Sequence, residues 1–191
     1  MASFAIHLAV GKVYSKYHTI LDEREFVRGI IVPDLVDNKD QSHYTLKNRG
    51  NSLESHLKSK VNLRKFLEEN KVDSDYEQGV FFHLLTDYEF FTNFFDKNYI
   101  RNVSYDDFCK DLYYSYDQTN EYLEKKYYLN YYDFEVFLKQ NIKKDNQEKE
   151  MKFQKTFVNV LPSEKLDLFI ERIGKVNLTQ LKDDILKKNN L

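Results

Sequence analysis

Tryptophan is absent and cysteine occurs once, as Cys109, so no internal disulfide can form and nothing marks an oxidising compartment. A disulfide-stapled miniprotein is thereby excluded, and the cytoplasm is the default address. With only 2 Pro and 5 Gly the chain is not rich in tight turns, which favours helices from the start. Neither sign of charge dominates. Lys plus Arg total 29 against 31 Asp plus Glu, a formal charge of -2, so no basic excess exists to neutralise phosphates and nucleic acid is not an expected partner. Long apolar runs are also missing, and no stretch approaches the roughly 20 residues of a membrane span. The apolar patch between Met1 and Lys16 is broken by His7 and Lys12 and has no charged leader, which does not read as a signal peptide. What the chain does have is 191 residues with 41% hydrophobic and 16% aromatic content, enough for one domain with a real core.

Apolar residues mostly recur at helical spacing, which predicts an all-α, multi-helix bundle. Ser3 caps a first helix on which Phe4, His7, Leu8 and Gly11 share a side. Between Asp22 and Ser59 the periodicity fails and turn-forming residues accumulate (Gly29, Pro33, Asp34, Asp37, Asn38, Asp40, Gly50 and Asn51), so this is read as the longest loop and the first place to look for chemistry. Asn62 caps a short helix. Ser74 and Glu77 then form a capping box ahead of a long central helix whose core face is built from Val80, Leu84, Tyr88 and Phe91, with Phe81, Leu85 and Phe95 alongside. Further helices are expected to start near Ser104, Thr119, Asn130 and Ser163, the last closing at Gly174, with a final short one near Thr179. Tyr113, Tyr114, Tyr116, Tyr122, Tyr127, Tyr128, Tyr131 and Tyr132 lie at helical spacing among charges of mixed sign, which suits core and half-buried packing rather than base stacking. The charged segment Lys143 to Lys152 divides the single domain into a core, 1–142, and a C-terminal helical appendage packed on it, 143–191.

Two polar residues interrupt the central helix. His83 and Asp87 are four residues apart, so both project from one face, where they form either a metal-ligand pair or an ordinary hydrogen-bonded pair. The chain has only five histidines: His7, His18, His43, His56 and His83. His7 sits among small and apolar residues, where an unpaired imidazole is costly to bury, and the ordinary alternative is a satisfied core histidine. His43 follows Asp34 by nine residues in the turn-rich region, where the ordinary alternative is a loop histidine and a turn aspartate. Three imidazoles and two carboxylates from two helices and a loop match what zinc or a similar divalent transition metal requires.

These residues also carry a resemblance. The order His7, then Phe26-Val27-Arg28-Gly29-Ile30-Ile31-Val32-Pro33-Asp34, then Lys39 to His43, then Gly79-Val80-Phe81-Phe82-His83-Leu84-Leu85-Thr86-Asp87 resembles the zinc-dependent phospholipase C family, in particular its intracellular bacterial relatives of unassigned substrate. The similarity spans Phe4 to Phe95. It implies an all-helical bundle of that family's fold and hydrolysis of a phosphoester, from a small molecule or a lipid, by a metal-activated water. It further implies that His43, His83 and Asp87 form the principal site, that Asp87 bridges to a second ion served by His7, and that Asp34 is the water-activating carboxylate or a further ligand. One or two ions, zinc by expectation, are implied. His56 rivals His43 as the loop ligand, and Lys12, Arg28 and Lys39 are alternatives for neutralising phosphate. The chain departs from the secreted enzymes in lacking their N-terminal Trp and any His after His83, for which Asp117, Glu121 and Asp133 are substitutes. These departures keep open a second reading, a catalytically inactive helical interaction module that retains the bundle and a structural ion. A group built on adjacent His-Asp pairs fits poorly, because no His here is directly followed by Asp. The Tyr-bearing and Lys-rich helices of the C-terminal third are left to cover the site or to form a homodimer surface.

Overall fold

The computed structural model describes residues 2–47, 50–129 and 157–187, and among them the chain is all-helical with no strand. The first helix, α1 (Phe4–Tyr17), starts where the Ser3 hydroxyl accepts from the Ile6 amide. It is followed by α2 (Glu23–Leu35), α3 (Lys39–Ser42), α4 (Leu53–Lys58), α5 (Leu63–Glu69) and α6 (Asp75–Glu89). A π-helical turn, Phe90–Phe94, prolongs α6 before α7 (Lys97–Asn102), α8 (Tyr105–Tyr127), α9 (Ser163–Gly174) and α10 (Leu178–Lys187). No described helix is long and apolar enough to cross a membrane.

The central helix forms as its capping box predicts, with Ser74 and Glu77 satisfying each other's backbone amides. Its buried arc is wider than the expected face, taking in Gly79 and everything from Phe81 to Asp87, whereas Val80, Tyr88 and Phe95 sit half-buried at the edge of the core. α1 lies across α2 and α6, and α8 and α9 cover its far side. Leu166, Phe169, Ile170 and Ile173 of α9 share one core with Val10 and Val13 of α1. The 142/143 division, the helix start near Asn130, Tyr131, Tyr132 and the Lys143 to Lys152 segment lie outside the described residues.

Several expectations are corrected. The stretch from Asp22 to Ser59 is not a long loop but holds α2, α3 and α4. In α2 the buried positions Phe26, Gly29, Ile30 and Pro33 follow the i, i+3, i+4, i+7 rule, but two of them are a glycine and a proline, so a count of apolar residues misses the stripe. Thr119 opens no helix. It lies inside α8, where its hydroxyl donates to the Ser115 carbonyl at 2.8 Å instead of capping. The last helix is capped by Asn177, whose side chain accepts from the Gln180 amide, rather than starting at Thr179. Among the tyrosines, Tyr116 and Tyr127 are buried and Tyr122 half-buried, but Tyr113, Tyr114 and Tyr128 are exposed.

α2 and α6 form the tightest helix pair because Gly29 and Gly79 face each other. A β-carbon on Gly79 would collide with the Phe26 carbonyl oxygen, and one on Gly29 with the Tyr76 carbonyl oxygen, so only glycine lets the two backbones touch. This contact sets the distance between the residues that follow on each helix, Ile30 and Asp34 on α2 and His83 and Asp87 on α6.

Candidate metal centre

His83 is fully buried, and its ring is aimed by α2: Nδ1 lies 2.7 Å from the Ile30 carbonyl oxygen. A carbonyl only accepts, so Nδ1 carries the proton and Nε2 presents a lone pair. His43, at the end of α3, is held the same way. Its Nδ1 lies 3.0 Å from the Lys39 carbonyl and 2.9 Å from the Ser42 hydroxyl, which itself donates to the Pro33 carbonyl at 2.8 Å. Its Nε2 therefore also presents a lone pair. The two Nε2 atoms are 3.0 Å apart. Two lone pairs meeting in a buried place repel unless a positive centre, a proton or a metal ion, lies between them or beside them.

Two carboxylates complete the set. Asp87 Oδ2 lies 3.4 Å from His43 Nε2 and 3.9 Å from His83 Nε2, while Asp34 Oδ1 lies 3.6 Å and 3.9 Å from the same two nitrogens. Both oxygens are buried, and among the described residues neither has a hydrogen-bond donor. A tetrahedral ion with bonds of about 2.0–2.1 Å has ligand atoms about 3.3 Å apart, and the separations here scatter around that value. The carbonyls of Ile30 and Lys39 are the outer partners that orient metal-binding imidazoles elsewhere.

His7 adds a second layer. Its ring stacks on His83 with centroids 3.9 Å apart and 10° between planes, and its Nε2 lies 3.4 Å from Asp87 Oδ1. His7, His83 and Asp87 form one group able to hold an ion, and Asp34, His43 and His83 another. His83 can serve only one of them, because its Nδ1 is engaged by Ile30. Asp87 Oδ1 also accepts from the Ala2 amide at 2.7 Å. Two three-residue groups thus share His83, and Asp87 Oδ2 also lies beside His43.

Electrostatics separates the two acids. Burial would push the Asp87 carboxyl up, but His43 and His7 beside it hold it well below the usual carboxylate range. Asp34 goes the other way, raised by burial and by the Asp87 charge. Burial, with His7 alongside, drives His83 well below the usual histidine range, so it stays neutral. Tyr116 of α8 is buried close to both acids, and burial together with the Asp87 charge holds its phenol well above the usual range, so it keeps its proton.

The structure brings together all five residues named from the sequence: His7, Asp34, His43, His83 and Asp87. His56 is not among them. It lies on α4 with its ring 5.0 Å from that of Tyr105. Asp117 and Glu121 are exposed, Glu121 beside Lys125, and Asp133 lies outside the described residues. Of the three candidate phosphate cations, Lys12 pairs with Glu23 and Arg28 with Glu25, whereas Lys39 lines a cavity that reaches His43. The Ile30 and Lys39 carbonyls were missed from sequence, since a backbone acceptor leaves no mark in residue type. Comparison of the chain with models of known families, with curated proteins and with solved structures returns no match.

Proposed function

We propose that this cluster is the metal centre of a phosphoester hydrolase. One observation carries the reading: two imidazoles, each tethered at Nδ1 to a backbone carbonyl, turn their bare Nε2 atoms on each other 3.0 Å apart with two carboxylates alongside. His43, His83 and Asp87 would hold the ion, with His7 backing Asp87, which leaves a fourth position for water. A divalent ion there would supply Lewis acidity, lowering the pKa of a water to about 7 and offsetting charge on a phosphoryl oxygen. Asp34 is the member suited to a second task. It is the least enclosed of the five, its side chain 7% exposed, and its raised proton affinity makes it the carboxylate able to take a proton from an attacking water. The similarity to zinc-dependent phospholipases C points to the same reaction.

A second reading has its own support. With Asp34 as a further ligand, four protein donors would close a tetrahedral site, the arrangement of structural rather than catalytic zinc. Asp34→Asn tells the readings apart. The protein is purified without chelator or histidine tag, its metal content measured, and hydrolysis of p-nitrophenyl phosphate and its bis-ester followed. The hydrolase reading expects His83→Ala to lose the metal, and Asp34→Asn to keep it while kcat falls by roughly 10²–10⁴. Equal rates in Asp34→Asn and the parent remove Asp34 from the role of base, and metal bound without turnover of either ester favours the structural ion.

A further inference from the structure

A cavity of about 240 Å³ opens beside the cluster and has His43 in its wall. Its remaining walls come from α3, α4, the π-helical turn and α8, and from the segments that follow α3 and α4. Lys39 and Lys60 contribute two ammonium groups against the single carboxylate of Asp40, and Tyr105, Tyr113 and Tyr116 contribute phenols. The segment carrying Lys60 is fixed to the one leaving His43. The Thr45 hydroxyl donates to the Lys60 carbonyl at 3.0 Å, and the Leu46 amide donates to the Ser59 carbonyl at 2.9 Å. The Lys60 ammonium itself lies 5.9 Å from the Phe91 ring centre and 5.8 Å from that of Tyr105, so it stands over an aromatic wall. Phe108 and Leu112 extend that wall.

We propose that this cavity binds the substrate, a small phosphate ester with a compact aryl or apolar group, and that Lys60, with Lys39, holds the phosphate. The proposal rests on the hydrolase reading for its chemistry but not for its binding site. Two cations against one carboxylate leave the wall with a net positive charge, which attracts the anionic phosphate of an ester. The phenols donate to phosphate oxygens, and the ester group lies against Phe91 and Phe108. Pockets for drug-sized ligands run to about 300–1,000 Å³, so this one takes a small ester and not a diacyl lipid.

Cys109 lines the cavity and is the only cysteine of the chain, so its alkylation rate reports occupancy without any turnover. The full chain, metal-loaded and metal-stripped, is titrated with inorganic phosphate, phenyl phosphate and phosphatidylcholine vesicles containing phosphatidic acid. Affinity is read by calorimetry, and occupancy by the rate at which maleimide modifies Cys109. Phenyl phosphate is expected to bind and to slow the modification. Lys60→Ala should raise its Kd at least about tenfold, Lys60→Arg less, and Lys125→Ala, on the exposed face of α8, not at all. Binding unaffected by Lys60→Ala, binding that leaves Cys109 equally reactive, or no binding at millimolar phosphate overturns the proposal, as does stronger protection by the vesicles. The two readings fail separately. Phenyl phosphate bound at Lys60 but never hydrolysed overturns the hydrolase and leaves the binding site, while hydrolysis with KM unchanged in Lys60→Ala does the reverse.

Discussion

At the scale of the residue, the centre depends on which nitrogen of each imidazole is occupied. The Ile30 and Lys39 carbonyls fix the tautomers of His83 and His43, so each ring can offer only Nε2. His43→Ala deletes one of those donors and is expected to strip the metal, whereas His56→Ala, which alters a ring lying against Tyr105, should leave the metal content at the parent value. Metal analysis of the two variants decides it, and loss in His56→Ala alone would make the wrong histidine the ligand. The sequence could name His83 and Asp87 from their spacing, but the choice of His43 over His56 came from the order of neighbouring motifs. Nothing in the residue types around His43 says that its backbone turns Nε2 inward.

At the scale of the element, the α2–α6 contact governs the site. Gly79→Ala places a methyl group against the Phe26 carbonyl, and backbone cannot yield as a flexible side chain would. The helices must part, at an expected cost of about 2–3 kcal/mol or more, and the Ile30 carbonyl moves away from His83 with them. Thermal melting should report the destabilisation, and metal content should fall in the same variant. A stable Gly79→Ala protein with its metal retained would show that the crossing tolerates more space than the structure gives it. The helix starts marked by Ser3, Asn62, Ser74 and Ser104 were legible because a side-chain oxygen at a cap is a local signal. α2 was not legible, because its contact residues are chosen for smallness and shape, and Gly29 and Pro33 ordinarily announce a turn.

At the scale of the whole molecule, the candidate metal cluster ties together elements far apart in the chain. Asp34 closes α2, His43 follows α3, His83 and Asp87 come from α6, and His7 from α1. An ion bound only by the folded chain adds its binding energy to the stability of all four. At a free metal concentration 100 times Kd this is about 2.7 kcal/mol, so chelation should lower Tm by roughly 5–10 °C in a chain of this length. His83→Ala should melt at one temperature with or without chelator. The all-helical class was legible from period alone, since many positions vote on it at once, whereas the meeting of five side chains depends on helix crossings that no local window contains.

The opposed Nε2 atoms of His43 and His83 have a stoichiometric consequence. Their mutual repulsion favours a hydrogen ion held beside the gap in the ion-free molecule, on Asp34, whose proton affinity is raised, and a bound ion would displace it. Acid and metal would thus compete for one position, and apparent affinity would decline by about tenfold for each unit of acidification through the range where that exchange is one for one.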